Sequence, residues 1–169
     1  MILTPIQIQT HDNGTFPNSK FPALLYKQVL DIPLLFPATH VANLFQKNNW
    51  GNSWDAGIFE YHHYHSKVHE VLGVYAGATT ILLGGDDGVE VKLEKGDVLI
   101  IPAGVAHKNL GKENDINCVG AYPYDQLYDM RYGNAGDRPE VDQNLLRVPI
   151  PDSDPIQGKD GGVKEIWHD

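Results

Sequence analysis

The chain has 169 residues, of which 41% are hydrophobic and 21% charged, and its formal net charge at pH 7 is −9. A chain of this length buries roughly 70% of the surface that it exposes when unfolded, so the composition predicts one globular domain. The negative charge, with no local run of basic residues, argues against nucleic-acid partners because it repels phosphate backbones.

Three features bear on the cellular compartment. No apolar run approaches the roughly 18 residues of a transmembrane helix, so we expect no membrane partner. The first residues lack the basic and long apolar segments of a signal peptide. The single cysteine, Cys118, excludes an internal disulfide framework, and we expect it to be a small buried hydrophobic side chain. Together these features predict a cytoplasmic protein.

Residues 1–47 are expected to form N-terminal strands and one helix. Residues 6–9 alternate between apolar and polar as a strand does, and flanking prolines favour a strand at 23–30. Residues 38–47 place apolar residues at helical spacing after a proline. We expect this helix to pack on the outside of a core built from strands.

Residues 48–122 are expected to form that strand-built core. The first part, 48–55, contains Trp50 and Trp54 and predicts a loop with two aromatic side chains at the rim. From residue 56 onward, short apolar segments separated by Gly- and Asp-containing turns predict antiparallel strands. The clearest strand segments are 89–94, whose apolar residues share one face, 98–101 and 116–122.

Residues 123–169 are rich in Asp, Gly and Pro and predict an irregular C-terminal segment, with one helical turn near 124–130. A disordered tail after residue 160 is one interpretation. The sequence Val-Pro-Ile-Pro-Asp at 148–152 favours instead an ordered segment laid across the barrel or a partner subunit. The three regions are expected to form a single domain.

The most specific pattern is G-x5-H-x-H-x4-E-x6-G, which covers residues 57–77. Residues two apart in a strand share a face, so His63 and His65 point the same way, together with Phe59. Glu70 begins a new apolar run after a short polar turn. If Phe59 and Leu72 face the core, these three candidate ligands lie inside, beside apolar residues.

A second pattern, G-x5-P-x-G-x2-H, covers residues 96–107, and its Pro-x-Gly turn directs His107 back towards the same strand-built pocket. Imidazole and carboxylate groups both bind divalent transition metals. Three imidazoles and one carboxylate leave one or two positions for water, dioxygen or substrate. We therefore predict one Fe, Mn, Ni, Co or Zn ion held by His63, His65, Glu70 and His107.

Other interpretations of these residues stay open. The motif histidines could be polar residues on a strand surface. His69 could replace or supplement a ligand, because turn residues do not obey alternation. His62 and Tyr64 alternate onto the outer face, where we expect solvent or an interface. Tyr61 shares the face of the ligands and is a candidate for substrate binding, although a core aromatic is the plainer interpretation.

The two patterns resemble the two signature motifs of the cupin superfamily, with one departure at Gly111, where the superfamily usually has Asn. The phrases His-Tyr-His-Ser-x-x-His-Glu-Val-Leu-Gly-Val and Val-Gly-Ala-Tyr-Pro resemble one subgroup, the YjlB-like cupins, over residues 48–158. The resemblance implies an all-β double-stranded β-helix (jelly-roll) barrel with one or two short outer helices. It also implies a mononuclear metal site and a homodimer.

The superfamily includes dioxygenases, isomerases, decarboxylases, storage proteins and ligand sensors, so the resemblance leaves the reaction open. We expect a metal-dependent enzyme of dioxygenase or isomerase type that acts on a small, partly apolar molecule. The alternatives are a non-catalytic protein that binds or senses a small molecule, and a scaffold with a closed structural metal. No nucleophile–base pair is evident in the sequence, so the metal would supply the electrophile.

Overall fold

The computed structural model describes residues 2–169, which form eight strands in antiparallel pairs and three short helices. The architecture is the predicted all-β jelly-roll barrel, with one helix more than expected. None of these helices has the length and apolar character needed to cross a membrane. The strands are β1 (Ile6–Ile8), β2 (Ala23–Tyr26), β3 (Trp50–Ala56), β4 (Glu70–Leu83), β5 (Val89–Glu94), β6 (Val98–Ile101), β7 (His107–Asn109) and β8 (Ile116–Pro123), and the helices are α1 (Pro37–Lys47), α2 (Glu140–Leu145) and α3 (Gly162–Ile166).

Strand β4 organises the barrel because it pairs with four other strands. Its first part lies between β6 and β8, and its second part pairs with β5 and β7. Gly77 lies between the two parts with a φ of 79°, a conformation that favours glycine, and a Cβ there would lie 2.1 Å from the carbonyl oxygen of Asp115. The pairing with β8 also shifts register between Val74 and Ala76. One strand thereby serves two sheets of the barrel.

Alternation along the strands separates two buried layers. In β4, Leu72 and Val74 belong to an inner apolar cluster, whereas Val71 belongs to an outer one. In β6, Leu99 faces the inner cluster and Ile100 the outer one. Because both faces of this sheet are buried, its strands are apolar almost throughout.

Helix α1 covers part of the outer layer, as predicted. Its Val41 and Phe45 are fully buried, and both contact Gly73 of β4. A Cβ at Gly73 would come within 2.7 Å of each of these side chains. The glycine therefore allows the helix to approach the sheet closely.

Two predictions about local structure were wrong. Trp50–Ala56 forms strand β3 instead of a loop, because pairing with β8 outweighs the weak strand propensity of the Gly, Asn, Asp and Ala residues in it; the pairing shifts register between Gly51 and Trp54. Trp50 lies fully buried in the outer layer. Residues 124–130 form no helix, and the helices of the C-terminal region are α2 and α3.

The C-terminal segment is ordered and fastened to the outer layer. Asp154 is fully buried and accepts hydrogen bonds from the Tyr26 hydroxyl (2.8 Å) and from the backbone N–H of Val163 (3.2 Å). Trp167 stacks on Phe21 with ring centroids 5.3 Å apart, and its indole N–H donates to the carbonyl of Pro22. The interpretation of a disordered tail after residue 160 was therefore wrong.

His69 belongs to this outer packing and not to the group of candidate ligands. Its ring lies 4.8 Å from that of Trp167, and its Nδ1 accepts the backbone N–H of Ala103 at 2.9 Å. The other ring nitrogen, Nε2, therefore donates to the carbonyl of Pro149 at 3.1 Å. Both nitrogens are engaged, and burial lowers the pKa of His69 to about 4.

We expect Trp167→Ala to reduce the free energy of unfolding by about 3–5 kcal/mol, the usual cost of truncating a buried aromatic side chain. The measurement is urea denaturation followed by circular dichroism. Leu146→Ala is the control, because Leu146 is 82% exposed and its truncation removes little packing. Equal midpoints for the two variants would show that the C-terminal segment adds no stability.

The pKa of His69 makes folding sensitive to acid. The His69 side chain has a pKa near its ordinary value of 6.5 in the unfolded chain and near 4 in the folded one. The contribution of neutral, buried His69 to the free energy of unfolding is therefore fully present above pH 6.5 and is lost as the pH falls towards 4. The free energy of unfolding of wild type minus that of His69→Gln should therefore be about 3 kcal/mol smaller at pH 4 than at pH 7. Urea denaturation with a chelator present measures it, with exposed His40→Gln as control. A pH-independent difference for His69→Gln would contradict the prediction.

Candidate metal centre

The segment that carries two of the candidate ligands pairs with the start of β7. The backbone N–H of His63 donates to the carbonyl of His107 (3.2 Å), and the N–H of His107 donates back to His63 (2.9 Å). The carbonyl of His65 accepts the N–H of Gly104 at 2.8 Å. These bonds hold the first histidine motif beside the Pro-x-Gly turn of the second motif.

Three of the four predicted ligands converge on one point. One donor atom each from His65, Glu70 and His107 lies within 4.8 Å of the other two, and all three residues are buried. Nε2 of His65 lies 3.0 Å from Oε2 of Glu70, and Nε2 of His107 lies 3.3 Å from Oε1. His63 lies beside this group, with its ring centroid 4.0 Å from that of His107 and 6.2 Å from that of His65.

The three histidines are oriented by one kind of hydrogen bond. Nδ1 of His63 lies 3.1 Å from the carbonyl of Tyr61, and Nδ1 of His107 lies 3.0 Å from that of Val105. Nδ1 of His65 bonds the carbonyl of Asp129 at 2.6 Å. A carbonyl oxygen only accepts, so each Nδ1 carries a proton and each neutral imidazole keeps its lone pair on Nε2.

The buried charge of Glu70 is balanced by its neighbours. Burial raises the pKa of Glu70, but the imidazoles of His65 and His107 outweigh that effect and hold the pKa well below its usual range. Burial also lowers the pKa of His65, and the Glu70 carboxylate more than compensates, so the net pKa is raised. A metal ion bound to the imidazoles and to the Glu70 carboxylate would take the place of a proton on the imidazoles and would itself supply the positive charge beside Glu70.

His107 offers a direct test of whether the site fits a metal. Its Nε2 is buried and, among residues 2–169, makes no well-aligned hydrogen bond; the carboxylate oxygen Oε1 of Glu70 lies 3.3 Å away. A buried polar atom without a partner is costly, and a bound cation would satisfy its lone pair. His63 also fits, because burial, together with the neighbouring His107, lowers its pKa to about 3 and leaves its ring unprotonated. Nitrogen donors with one carboxylate suit Fe, Mn, Ni, Co or Zn.

Two aromatic residues hold the Glu70 carboxylate in place. The Tyr122 hydroxyl in β8 donates to Oε2 of Glu70 at 2.7 Å. Trp54 in β3 donates its indole N–H to the Tyr122 hydroxyl, also at 2.7 Å. The sequence analysis gave Tyr122 no role and treated Trp54 as packing at the rim. Both belong to the site, and no local motif indicated the contact, since it joins three separate strands.

The loop after β8 also shapes the centre. Besides its carbonyl contact with His65, Asp129 accepts through its carboxylate the backbone N–H of Ser66 (2.8 Å) and of Lys67 (3.1 Å). These bonds fix the turn between His65 and Glu70. The sequence analysis assigned no role to Asp129.

The candidate ligands open into a cavity of about 370 Å³. Phe59 and Tyr61 line it next to His63, but both are partly exposed, 40% and 47%, at its mouth. Of the two residues on which an inward orientation of the ligands depended, Leu72 is buried in the inner cluster, whereas Phe59 does not face the core. Tyr61 lines the cavity, as its proposed role requires. The complete lining is Trp54, Ala56, Gly57, Ile58, Phe59, Tyr61, His63, His65, Glu70, Leu72, His107, Tyr122, Tyr128, Met130 and Tyr132.

Tyr64 does not face solvent as predicted. It is fully buried in a small cluster with Phe16, Ala106 and Val141. Its backbone forms a two-way bridge with Arg131, which lays the C-terminal segment over it. The outward direction was predicted correctly, but alternation gives no information on what covers that face.

The departure at Gly111 is accommodated by the loop after His107. A Cβ at Gly111 would lie 2.6 Å from Oγ1 of Thr79 and 2.8 Å from Oδ2 of Asp115. The buried Asn109 organises this loop, since its Oδ1 accepts the N–H of Gly111 and its Nδ2 donates to the carbonyl of Ile58. The loop is therefore ordered without an asparagine at position 111.

Comparisons with solved structures return matches of low similarity. A Bacillus anthracis acireductone dioxygenase with a cadmium ion in its active centre has a TM-score of 0.37 and 18% identity, over 50% of this chain and 58% of that chain. A DUF861 family protein from Thermotoga maritima has a TM-score of 0.32 and 20% identity, over 54% of this chain and 92% of that chain. These values are too low to carry a conclusion about metal or reaction.

The sequence comparison is more specific. No protein-family model matches the chain. The chain is 37% identical over 157 residues to "Uncharacterized protein YjlB" of Bacillus subtilis (strain 168), and the match covers 92% of each protein. Identity at this level over nearly the full length of both proteins shows common ancestry and a common fold. The chain therefore belongs to the YjlB family of cupins.

Proposed function

We propose that the chain binds one divalent transition metal ion through His65, Glu70 and His107, with His63 as a fourth ligand. The observation that carries the proposal is the shared orientation of the three imidazoles. Each donates its Nδ1 proton to a backbone carbonyl, which leaves Nε2 as the donor atom. The Nε2 of His107, which makes no well-aligned hydrogen bond, supports it further.

The proposal extends to a metal-dependent enzyme of dioxygenase or isomerase type. A metal bound here supplies a Lewis acid that polarises a substrate oxygen or supports dioxygen chemistry. The chain contributes the aromatic walls of the cavity, which exclude water from the reacting atoms. Tyr122 keeps the Glu70 carboxylate directed at the site, and the Tyr61 hydroxyl lies at the mouth, where a substrate would pass.

One observation favours the second candidate, a cupin that binds or senses a small molecule without turning it over. Apart from the proposed ligands, the cavity lining contains no carboxylate, imidazole, amine or thiol. Proton transfer during a reaction would therefore depend on tyrosine hydroxyls, on water or on a ligand itself. Turnover of a bound compound by the metal-loaded protein distinguishes the enzyme from the binder.

We further propose a cytoplasmic homodimer. Ile6 in β1 and Val89 in β5 are partly exposed on strands that each pair on one side within residues 2–169. A second subunit would cover such edges and their apolar side chains. The single cysteine, buried Cys118, suits a reducing compartment.

The first prediction here concerns metal content. Untagged protein should carry about one equivalent of a divalent transition metal. His65→Ala and His107→Ala should each weaken metal binding by more than about 100-fold, because losing a metal ligand reduces affinity more than losing a residue that only hydrogen-bonds to a ligand. Elemental analysis and calorimetric titration of metal into chelator-treated protein are the measurements.

His40→Ala is the matched control, since His40 is exposed on α1 and remote from the cavity lining. It should retain the wild-type metal content. Circular dichroism should confirm that all three variants are folded. Wild-type protein that binds no metal after reconstitution would refute the proposal.

A second prediction concerns the hydrogen bond from Tyr122 to Glu70. Tyr122→Phe removes the donor that orients Oε2, so metal affinity should fall by about 10–100-fold. The visible absorption of the cobalt-loaded protein should also change, because it reports the ligand geometry around the metal. Calorimetry and absorption spectroscopy are the measurements.

Tyr75→Phe provides the control for this experiment. Tyr75 lies on β4 and donates its hydroxyl to the carboxylate of Asp55 outside the cavity, so the chemical change is the same. It should leave affinity and spectrum unaltered. Identical results for the two variants would show that Tyr122 does not position Glu70.

A further inference from the structure

The charges around the cavity restrict what it binds. Its lining contains neither lysine nor arginine, and Glu70 is its only carboxylate. Arg131 lies between the lining residues Met130 and Tyr132, but its guanidinium pairs with Asp129 and Glu140 at 3.2 Å each. The Arg131 guanidinium is therefore already neutralised by two carboxylates and does not serve to bind an anionic group of a ligand.

A bound metal would provide the only positive charge. With neutral imidazoles and one Glu70 carboxylate, a divalent ion leaves a single net positive charge at the floor of the cavity. One anionic oxygen compensates that charge. A second anionic group on the same ligand would lie against aromatic walls without a counter-charge, which is strongly unfavourable.

Two groups of aromatic rings form those walls. On one side, Phe59 and Tyr61 stack with centroids 5.0 Å apart and an interplanar angle of 12°, and both pack edge-on against His63. On the other, Tyr122 and Tyr128 stack with centroids 4.7 Å apart, and both pack edge-on against His65. Each group thus leads from the mouth to a candidate metal ligand.

The rings at the mouth are incompletely covered by the chain itself. The exposed fractions are 40% for Phe59, 47% for Tyr61, 43% for Tyr128 and 45% for Tyr132. Tyr61 and Tyr132 also contact each other, with centroids 5.9 Å apart. A contiguous exposed aromatic surface around a cavity is typical of a ligand-binding site.

We propose that the ligand of this cavity is a planar aromatic compound that offers one hydroxyl or enol oxygen to the metal and carries no second anionic group. Its ring lies among Phe59, Tyr61, Tyr122 and Tyr128, where ring–ring contacts add to apolar burial. Its oxygen reaches the proposed metal at Glu70, so the inference rests on the proposed function. The proposal excludes dicarboxylates and phosphate esters, because the cavity lining has no lysine or arginine to pair with a second anionic group.

The cavity volume sets the size of this compound. About 370 Å³ lies near the lower end of the range for ligand pockets, roughly 300–1,000 Å³. A ligand of one or two rings matches that volume.

Three bicyclic probes test the proposal by equilibrium dialysis against metal-loaded and metal-free protein. The probes are 2-naphthol, decahydro-2-naphthol, which has the same oxygen on a saturated frame, and 2-naphthyl phosphate, which has the same rings with a phosphate. With metal bound, 2-naphthol should bind about tenfold more tightly than the saturated alcohol and more tightly than the phosphate. Phe59→Leu should weaken 2-naphthol binding several-fold.

Phe36→Leu is the matched control, because Phe36 is 79% exposed and does not line the cavity. It should not alter binding. Equal affinities for 2-naphthol and its saturated analogue, preference for the phosphate, or no binding of any probe would overturn the proposed ligand class.

The two forms of the protein separate this inference from the proposed function. Protein that takes up no metal but still prefers 2-naphthol, with loss in Phe59→Leu, would support the ligand class and refute the metal site. Stoichiometric metal without any preference among the probes would support the metal site and refute the ligand class. A shift in the visible spectrum of cobalt-loaded protein on adding 2-naphthol would show that its oxygen reaches the metal.

Discussion

The buried carboxylate of Glu70 is the constraint around which this molecule is built. Glu70 is the first residue of β4, the strand that pairs with four others, and its side chain is almost completely removed from water. A buried charge is tolerated only with compensating partners. His65, His107 and Tyr122 supply them from three other parts of the chain. The chemistry of the site and the stability of the barrel therefore depend on the same contacts.

The path of β4 explains how distant motifs meet. Glu70 pairs with Ile101 at one end of the strand, and Leu83 pairs with His107 at the other. The side chain of His107 nevertheless lies 3.3 Å from Glu70, so β4 does not run straight between Glu70 and Leu83, and Gly77, with its positive φ, lies between these two ends. A straight strand of the same length would keep these residues far apart.

The cavity combines a strongly polar floor with aromatic walls. Its floor concentrates nitrogen and oxygen donors, whereas its sides and mouth are formed by Trp54, Phe59 and tyrosines. Such a division allows polar groups to fix one end of a ligand and apolar contacts to select the remainder. The C-terminal segment takes part through Tyr128, Met130 and Tyr132, so the region after the last barrel strand completes the site.

The sequence by itself indicated a core of antiparallel strands, the α1 helix and the candidate ligands, because each has a local signature in spacing, alternation or turn residues. The barrel class followed from the resemblance of its two motifs to those of the cupin superfamily. It also placed His63, His65 and Phe59 on one side, yet it did not show that Phe59 lies at a cavity mouth. Only the tertiary structure decided that His65, Glu70 and His107 converge, that Tyr122 and Trp54 hold the carboxylate, and that Tyr64 is covered. Those contacts join separate strands and loops, and no local periodicity specifies which distant residues will meet.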